Sequence, residues 1–216
     1  MISKNFKNRI FTSMLLLLIV ILIFQINLFF VYTLIVLGVL SILEFFDITK
    51  KIIKKKINYF LINFVFLFYL FIFCIVLLFF YNHFQLKIAM FLILLCCIAS
   101  DIGGFLFGKL FKGPKLTKIS PNKTIIGAIG SIVLSCLVSL FIFKILSNDL
   151  IFKALIIGST TSVACQIGDL FFSYLKRKAK IKDTGSFLPG HGGILDRLDG
   201  ILLGVPAGIF IITYLS

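Results

Sequence analysis

The feature that most restricts the fold of this chain is a series of apolar runs, each about as long as a bilayer is thick. Crossing the hydrocarbon core as a helix takes about 20 residues, and several runs reach or approach that length. The 216 residues are 60% hydrophobic, whereas a soluble domain is closer to half apolar. The sequence therefore predicts an all-α, polytopic transmembrane helical bundle and excludes a single soluble core.

Seven spans are expected, with ends placed to within about 2–4 residues. They are 10–25, 28–46, 58–81, 86–107, 124–146, 150–172 and 199–216. No small-residue cleavage site follows the first run, which is interpreted as a retained helix rather than a signal peptide. The chain, 1–216, is expected to form one integral membrane domain with its catalytic part near 90–200.

The distribution of charge predicts the orientation in the membrane. The net charge is +14, and with the N-terminus in the cytoplasm the outer ends hold only Lys87, Lys144 and Lys153 of the 22 basic residues. This asymmetry predicts an N-terminus inside and a C-terminus outside. Because the charges lie in short loops between spans, anionic lipid and polyphosphate are the expected partners and nucleic acid is not.

The five cysteines are expected to be buried structural thiols. All lie inside apolar runs and none has metal-ligand spacing. They are Cys74, Cys96, Cys97, Cys136 and Cys165.

A polar constellation closes the sixth predicted span. It contains Gln166, Gly168, Asp169 and Ser173. Asp169 and Ser173 are four residues apart, so one helix face presents a carboxylate and then a hydroxyl. A carboxylate inside a membrane helix is costly, which indicates a function. An interfacial aspartate paired with a lysine is the alternative.

A cation-rich and glycine-rich segment follows. Residues 176–183 are dense in cations, although an ordinary positive-inside loop accounts for Lys178 and Lys180. Gly192 and Gly193 let backbone N–H groups approach a phosphate closely. Glycines alone indicate only a loop.

Two aspartates open the last predicted helix. Asp196 and Asp199 share one helix face and supply the hard oxygen ligands that Mg²⁺ prefers. A surface network that includes Arg197 is the alternative.

The segment 101–124 forms a second constellation on the same membrane face. Ser120 suits an N-cap and Pro121 the first position of the fifth helix. With Lys123 and Thr124 beside it, this helix start is a candidate anion site. The alternative is a well-capped helix packed through small residues. Outside both constellations, Glu44 is expected to pair with lysines at the interface.

The residues of these constellations resemble one known family, the phosphatidate cytidylyltransferases (CDP-diacylglycerol synthases). From Ser173 to Asp199 the chain reads Ser, two residues, Lys-Arg, four residues, Lys-Asp, and then a stretch to Pro-x-His-Gly-Gly-x-x-Asp-Arg-x-Asp. The same resemblance includes Asp101 to Gly103, Gly108-Lys109, Ser120 to Thr124 and Gly168 to Leu170. Two features depart from the pattern. Ile125-Ile126-Gly127 replaces the usual acidic step, and the N-terminal half is short.

The resemblance implies that CTP and phosphatidic acid react to give CDP-diacylglycerol and pyrophosphate, for phospholipid biosynthesis. It implies Mg²⁺ as cofactor, membrane lipid as partner, and a bacterial inner (plasma) membrane location with the active site facing the cytoplasm. A homodimer is left open.

The resemblance also implies residue roles. Asp169, Asp196, His191 and Lys182 are the expected catalytic residues. His191 is expected to donate to a phosphate or to assist departure of pyrophosphate. The expected Mg²⁺ ligands are Asp169 and Asp196, with Asp199 next. The expected substrate-binding residues are Ser173, Lys176, Arg177, Arg197, Ser120, Lys123, Thr124, Gly192 and Gly193.

Two other classes of function are weighed against this one. A CTP-dependent enzyme on another lipid acceptor, such as a polyprenol kinase or an archaeol-type cytidylyltransferase, is disfavoured by the full signature. A transporter of anionic substrates is disfavoured because its site usually lies near the midplane in broken helices, whereas these polar groups cluster on one face.

Overall fold

A computed structural model describes residues 22–23, 25–111, 113–121, 123–146, 151–185 and 192–215. Within these residues lie seven named helices and no β-strand. The helices are α1 (Asn27–Ile52), α2 (Lys56–Asn82), α3 (Phe84–Phe111), α4 (Ile125–Leu146), α5 (Ile151–Lys178), α6 (Leu195–Leu198) and α7 (Ile201–Leu215). The predicted all-α fold class is confirmed.

Six stretches of the described chain are long and apolar enough to cross a membrane: α1 to α5, and Leu195–Leu215 taken together. The protein is therefore a polytopic helical membrane protein. The first predicted span, 10–25, lies almost entirely outside the described residues, so the count of seven and the orientation stay predictions.

The helices extend beyond the predicted spans at their charged ends. α1 continues to Ile52 rather than 46, and α5 to Lys178 rather than 172. Lysine and arginine are good helix formers. Hydropathy therefore marks where a helix leaves the apolar layer, and the helix itself ends later.

The chain divides into two compact units. The first contains the chain up to Leu78 together with Leu175–Arg197. In this unit α1 packs on α2 through Phe45 and Phe66, whose rings stack with centroids 3.8 Å apart. The Thr49 hydroxyl, 2.9 Å from the Asn63 side-chain oxygen, links the same two helices.

The second unit contains Phe79–Tyr174 and Leu198–Ser216. Its α3 and α4 approach so closely that a Cβ added at Gly103 would lie 2.5 Å from the Gly130 carbonyl oxygen. Small residues permit such backbone contact in membranes, so the packing alternative raised for this segment is correct for Gly103. Hydroxyl pairs add polar links, including Ser100 with Ser162 at 2.8 Å.

The cysteines are all free thiols. Cys96, Cys97 and Cys165 are buried, as expected, whereas Cys74 and Cys136 are only half-buried. Each lies within a helix that is apolar enough to span a membrane.

Candidate functional site

Asp196 is the centre of the polar cluster in the first unit. It lies on the four-residue helix α6, and its Oδ1 accepts from Lys176 Nζ at 2.6 Å. Its Oδ2 accepts the backbone N–H groups of Thr184 at 2.8 Å and Gly193 at 3.1 Å. Only 9% of the Asp196 side chain and 13% of the Lys176 side chain are exposed. A charge-assisted pair in such a sheltered place is stronger than one on an open surface.

Glu44 forms a second carboxylate centre in the same unit, which corrects the expectation of an interfacial pair with lysines. Glu44 is 2% exposed. It accepts the Thr184 hydroxyl at 2.7 Å and the backbone N–H groups of Ile194 at 2.9 Å and Leu195 at 2.8 Å. A carboxylate within a membrane helix costs roughly 2.5–3.5 kcal/mol at the bilayer centre. The same cost, which indicated a function for Asp169, is the signal that could have indicated a specific partner for Glu44.

The carboxylates of Asp196 and Glu44 together accept hydrogen bonds from four backbone N–H groups. Asp196 takes those of Thr184 and Gly193, and Glu44 takes those of Ile194 and Leu195. The Gly193 amide therefore supports Asp196 in this structure. Gly192 has φ +82°, a left-handed conformation that glycine adopts without strain. The predicted phosphate contacts of both glycines stay predictions.

Asp169 is the centre of the polar cluster in the second unit. It lies on α5, more than two turns before the end of the helix at Lys178. The ammonium group of Lys123 forms an ion pair with its Oδ2. The Ser173 hydroxyl donates to its Oδ1 at 3.4 Å, as the four-residue spacing predicted. The structure thus brings together a predicted metal ligand and two predicted substrate-binding residues.

The expected helix start at Ser120 and Pro121 is wrong. α4 begins at Ile125, and the Thr124 hydroxyl caps it by accepting the Gly127 N–H at 3.0 Å. Instead, residues 114–116 pair with residues 123–125. The Leu116 N–H donates to the Lys123 carbonyl oxygen at 2.8 Å, and the Ile125 N–H donates to the Pro114 carbonyl oxygen at 2.9 Å. Pairing between these neighbouring segments therefore overrides the capping signal, and it places Lys123 beside Asp169.

The other predicted site residues are placed as follows. Arg177, Lys182 and Arg197 have exposed side chains. Asp199 accepts the Gly200 N–H at 2.9 Å. His191 lies outside the described residues.

The expected Mg²⁺ requires carboxylate oxygens that still have free lone pairs. An ionised carboxylate offers about four lone-pair positions. The bonds given above fill three on Asp196 and two on Asp169, so both retain capacity for a ligand. In the described part of either unit, no three His, Cys, Asp or Glu side chains form a metal-binding group. The residues fit an ion that takes one or two carboxylates and completes its shell with phosphate and water, as Mg²⁺ does.

These features define a class of protein, a polytopic helical membrane protein with two partly sheltered Asp–Lys ion pairs. Residues 2–215 match the family model described as the cytidylyltransferase family. The chain therefore belongs to the cytidylyltransferase family, as the signature predicted.

Curated proteins similar to this chain agree with that assignment. The chain is 37% identical over 199 residues to the phosphatidate cytidylyltransferase of Rickettsia typhi, covering 88% of this chain and 83% of that protein. It is 43% identical over 117 residues to the phosphatidate cytidylyltransferase of Helicobacter pylori, covering 54% of this chain and 44% of that protein. The match thus spans most of the Rickettsia protein and less than half the length of the Helicobacter protein.

Proposed function

We propose that this protein is a phosphatidate cytidylyltransferase, which joins CTP and phosphatidic acid to form CDP-diacylglycerol and pyrophosphate. Membership of the cytidylyltransferase family supports the reaction class. The names of the relatives that the chain matches over most of their length support the acceptor.

The observation that carries this proposal is that the two principal predicted metal-binding aspartates are each paired with a lysine that was itself predicted to bind substrate. Asp196 is paired with Lys176 and Asp169 with Lys123. A phosphate bound to a cation on either carboxylate would lie beside the ammonium group that is paired with that carboxylate. Carboxylate and ammonium side by side suit a substrate that arrives as a phosphate–metal complex, because each group then meets an opposite charge.

The chemistry requires charge neutralisation and alignment more than proton transfer. A phosphate oxygen of phosphatidate attacks the α-phosphorus of CTP and forms a new P–O bond. The bond to the bridging oxygen breaks, and its electrons leave with pyrophosphate. The attacking oxygen is already anionic, so no strong base is needed. Lys176 and Lys123 are assigned to neutralise phosphate charge, and holding the two anions together supplies much of the acceleration.

Mg²⁺ is the proposed cofactor, with Asp169 and Asp196 as its principal protein ligands and Asp199 as the next. When bound, it supplies Lewis acidity and a template for the phosphate groups.

The proposed location is the bacterial inner membrane, with the polar clusters facing the cytoplasm, where CTP is found. The positive-inside distribution supports this orientation. Membrane lipid is the proposed surrounding partner. A homodimer is compatible with the proposal and is not required by it.

The test is product analysis with purified protein in lipid–detergent micelles containing phosphatidate. Label at the α-phosphorus of CTP should appear in CDP-diacylglycerol, and label at the γ-phosphorus should appear in pyrophosphate. EDTA should stop the reaction and excess Mg²⁺ should restore it. Transfer of γ-label to lipid would instead identify a kinase. Uptake of substrate without turnover would identify a transporter.

A second experiment tests the cations that follow α5. Arg177→Ala and Lys182→Ala should lower turnover more than Lys178→Ala and Lys180→Ala, because only the first two occupy signature positions. Equal losses at all four positions would mean that bulk positive charge matters rather than these side chains.

A further inference from the structure

The carboxylate of Glu44 is deeply buried and receives three hydrogen bonds, all from uncharged groups. They come from the Thr184 hydroxyl and the backbone N–H groups of Ile194 and Leu195. Within the part of the chain that the structure describes, no lysine or arginine forms an ion pair with it. A buried charge held by uncharged donors alone is expensive to maintain. An apolar residue would suit α1 better unless these particular donors have to be held in place.

The donors held by Glu44 belong to the same two short stretches that bind Asp196. Thr184 gives its hydroxyl to Glu44 and its backbone N–H to Asp196. Gly193 gives its N–H to Asp196, and the next two N–H groups along the chain go to Glu44. Displacing Glu44 would therefore release both stretches that fix Oδ2 of Asp196.

The packing leaves this arrangement little freedom. A Cβ added at Gly193 would lie 2.5 Å from Glu44 Oε2, and one added at Gly185 would lie 2.5 Å from Glu44 Oε1. Glycine is thus required on both sides of the carboxylate. The backbone at Gly185 and Gly193 packs tightly against the Glu44 carboxylate. This contact is close enough to set the position of the neighbouring Asp196.

We propose that Glu44 is a positioning residue for Asp196. From α1 it holds Thr184 and residues 193–195 in place, so that their N–H groups fix the Asp196 carboxylate in the orientation that receives the metal–phosphate substrate. This inference rests on the proposed function, because it takes Asp196 to be a metal ligand. Groups that orient a metal ligand from outside typically change metal affinity or activity about 10–100-fold when they are altered.

The test measures binding without turnover. Purified protein in micelles that lack phosphatidate is incubated with labelled CTP, and the readout is the Mg²⁺ concentration that gives half-maximal retention of the label. Glu44→Gln keeps the size of the side chain, but its NH₂ group must face a donor, so the half-saturating Mg²⁺ concentration should rise roughly tenfold or more. The matched control is Asp47→Asn, which alters an exposed carboxylate one turn further along α1 and should leave the value unchanged.

Thr184 variants keep the test informative if Glu44→Gln fails to fold. Thr184→Val removes the hydroxyl that donates to Glu44 and should raise the Mg²⁺ requirement. Thr184→Ser retains a hydroxyl, and its Mg²⁺ requirement should stay close to that of the unaltered protein. Equal values for these two variants would overturn the proposal. A further check is Glu44→Gln added to Asp196→Asn. The Mg²⁺ requirement of this double variant should differ less than twofold from that of Asp196→Asn alone, because Glu44 acts through Asp196.

The outcomes separate this inference from the proposed function. If Glu44→Gln lowers the unfolding temperature but leaves the Mg²⁺ requirement unchanged, while Asp196→Asn raises it, Glu44 is structural only and the inference alone is wrong. If Asp196→Asn leaves the requirement unchanged, the metal role of Asp196 fails and the inference fails with it.

Discussion

Gly193→Ala is the substitution for which the structure gives the most definite energetic expectation. The added methyl group would lie 2.5 Å from Oε2 and 2.7 Å from Oε1 of Glu44, and it would overlap the Thr184 hydroxyl. Gly193 is buried, so the methyl group cannot turn toward solvent. Either the Glu44 carboxylate or Thr184 has to move.

The cost follows from what must be displaced. Breaking one hydrogen bond to a buried carboxylate costs about 1–3 kcal/mol, and inserting a methyl group into a well-packed site costs about 1–3 kcal/mol. We therefore expect the free energy of unfolding to fall by about 2–6 kcal/mol. Proposed CTP-dependent activity should fall as well, since the Gly193 N–H supports Asp196.

The assay is reversible unfolding of purified protein in mixed micelles, followed by circular dichroism as the denaturing detergent is increased. Gly38→Ala is the matched control, because nothing lies within 4 Å of a Cβ added at Gly38 on α1. That change should be neutral or should stabilise the helix by up to about 1 kcal/mol. A Gly193→Ala protein within about 0.5 kcal/mol of the natural one would show that the packing around Glu44 is not as described.

Three further predictions concern charge, capping and orientation. Asp196→Asn should leave the protein inserted and folded while CDP-diacylglycerol formation is lost, and Asp47→Asn should retain activity in the same assay. Thr124→Val should lower the free energy of unfolding by about 1 kcal/mol, because the cap of α4 is removed; an unchanged detergent midpoint would contradict that role. A topology reporter fused after Ser216 should lie outside the cytoplasm and one inserted near Lys54 inside; both reporters on the same side would exclude seven spans.

The sequence was sufficient for the features that depend on local pattern. Long apolar runs predicted the helices, because a chain in lipid must satisfy its own backbone hydrogen bonds. The four-residue spacing of Asp169 and Ser173 predicted their contact on α5, because helical geometry places such residues on one face. Membership of the family followed from a long signature rather than from the fold.

Features that depend on contacts between separate segments could not be predicted. Glu44 meets Thr184 across 140 residues, and no periodicity near Glu44 indicates that partner. α4 begins at Ile125 rather than at the expected Pro121 because residues 114–116 pair with residues 123–125. In both places contacts between segments, rather than the local pattern, decided the structure.

The glycine-lined contact between α3 and α4 has a consequence for how this protein tolerates mutation. Where Gly103 faces the Gly130 carbonyl, backbone meets backbone and any side chain larger than hydrogen collides. Large aromatic residues such as Phe105 and Phe141 are about two-thirds exposed, at 66% and 67%. A saturation-mutagenesis map should therefore invert the usual hydrophobic-core pattern. Exchanges among bulky apolar residues on the lipid-facing surface should be accepted, whereas Gly103 and Gly130 at this contact should tolerate none.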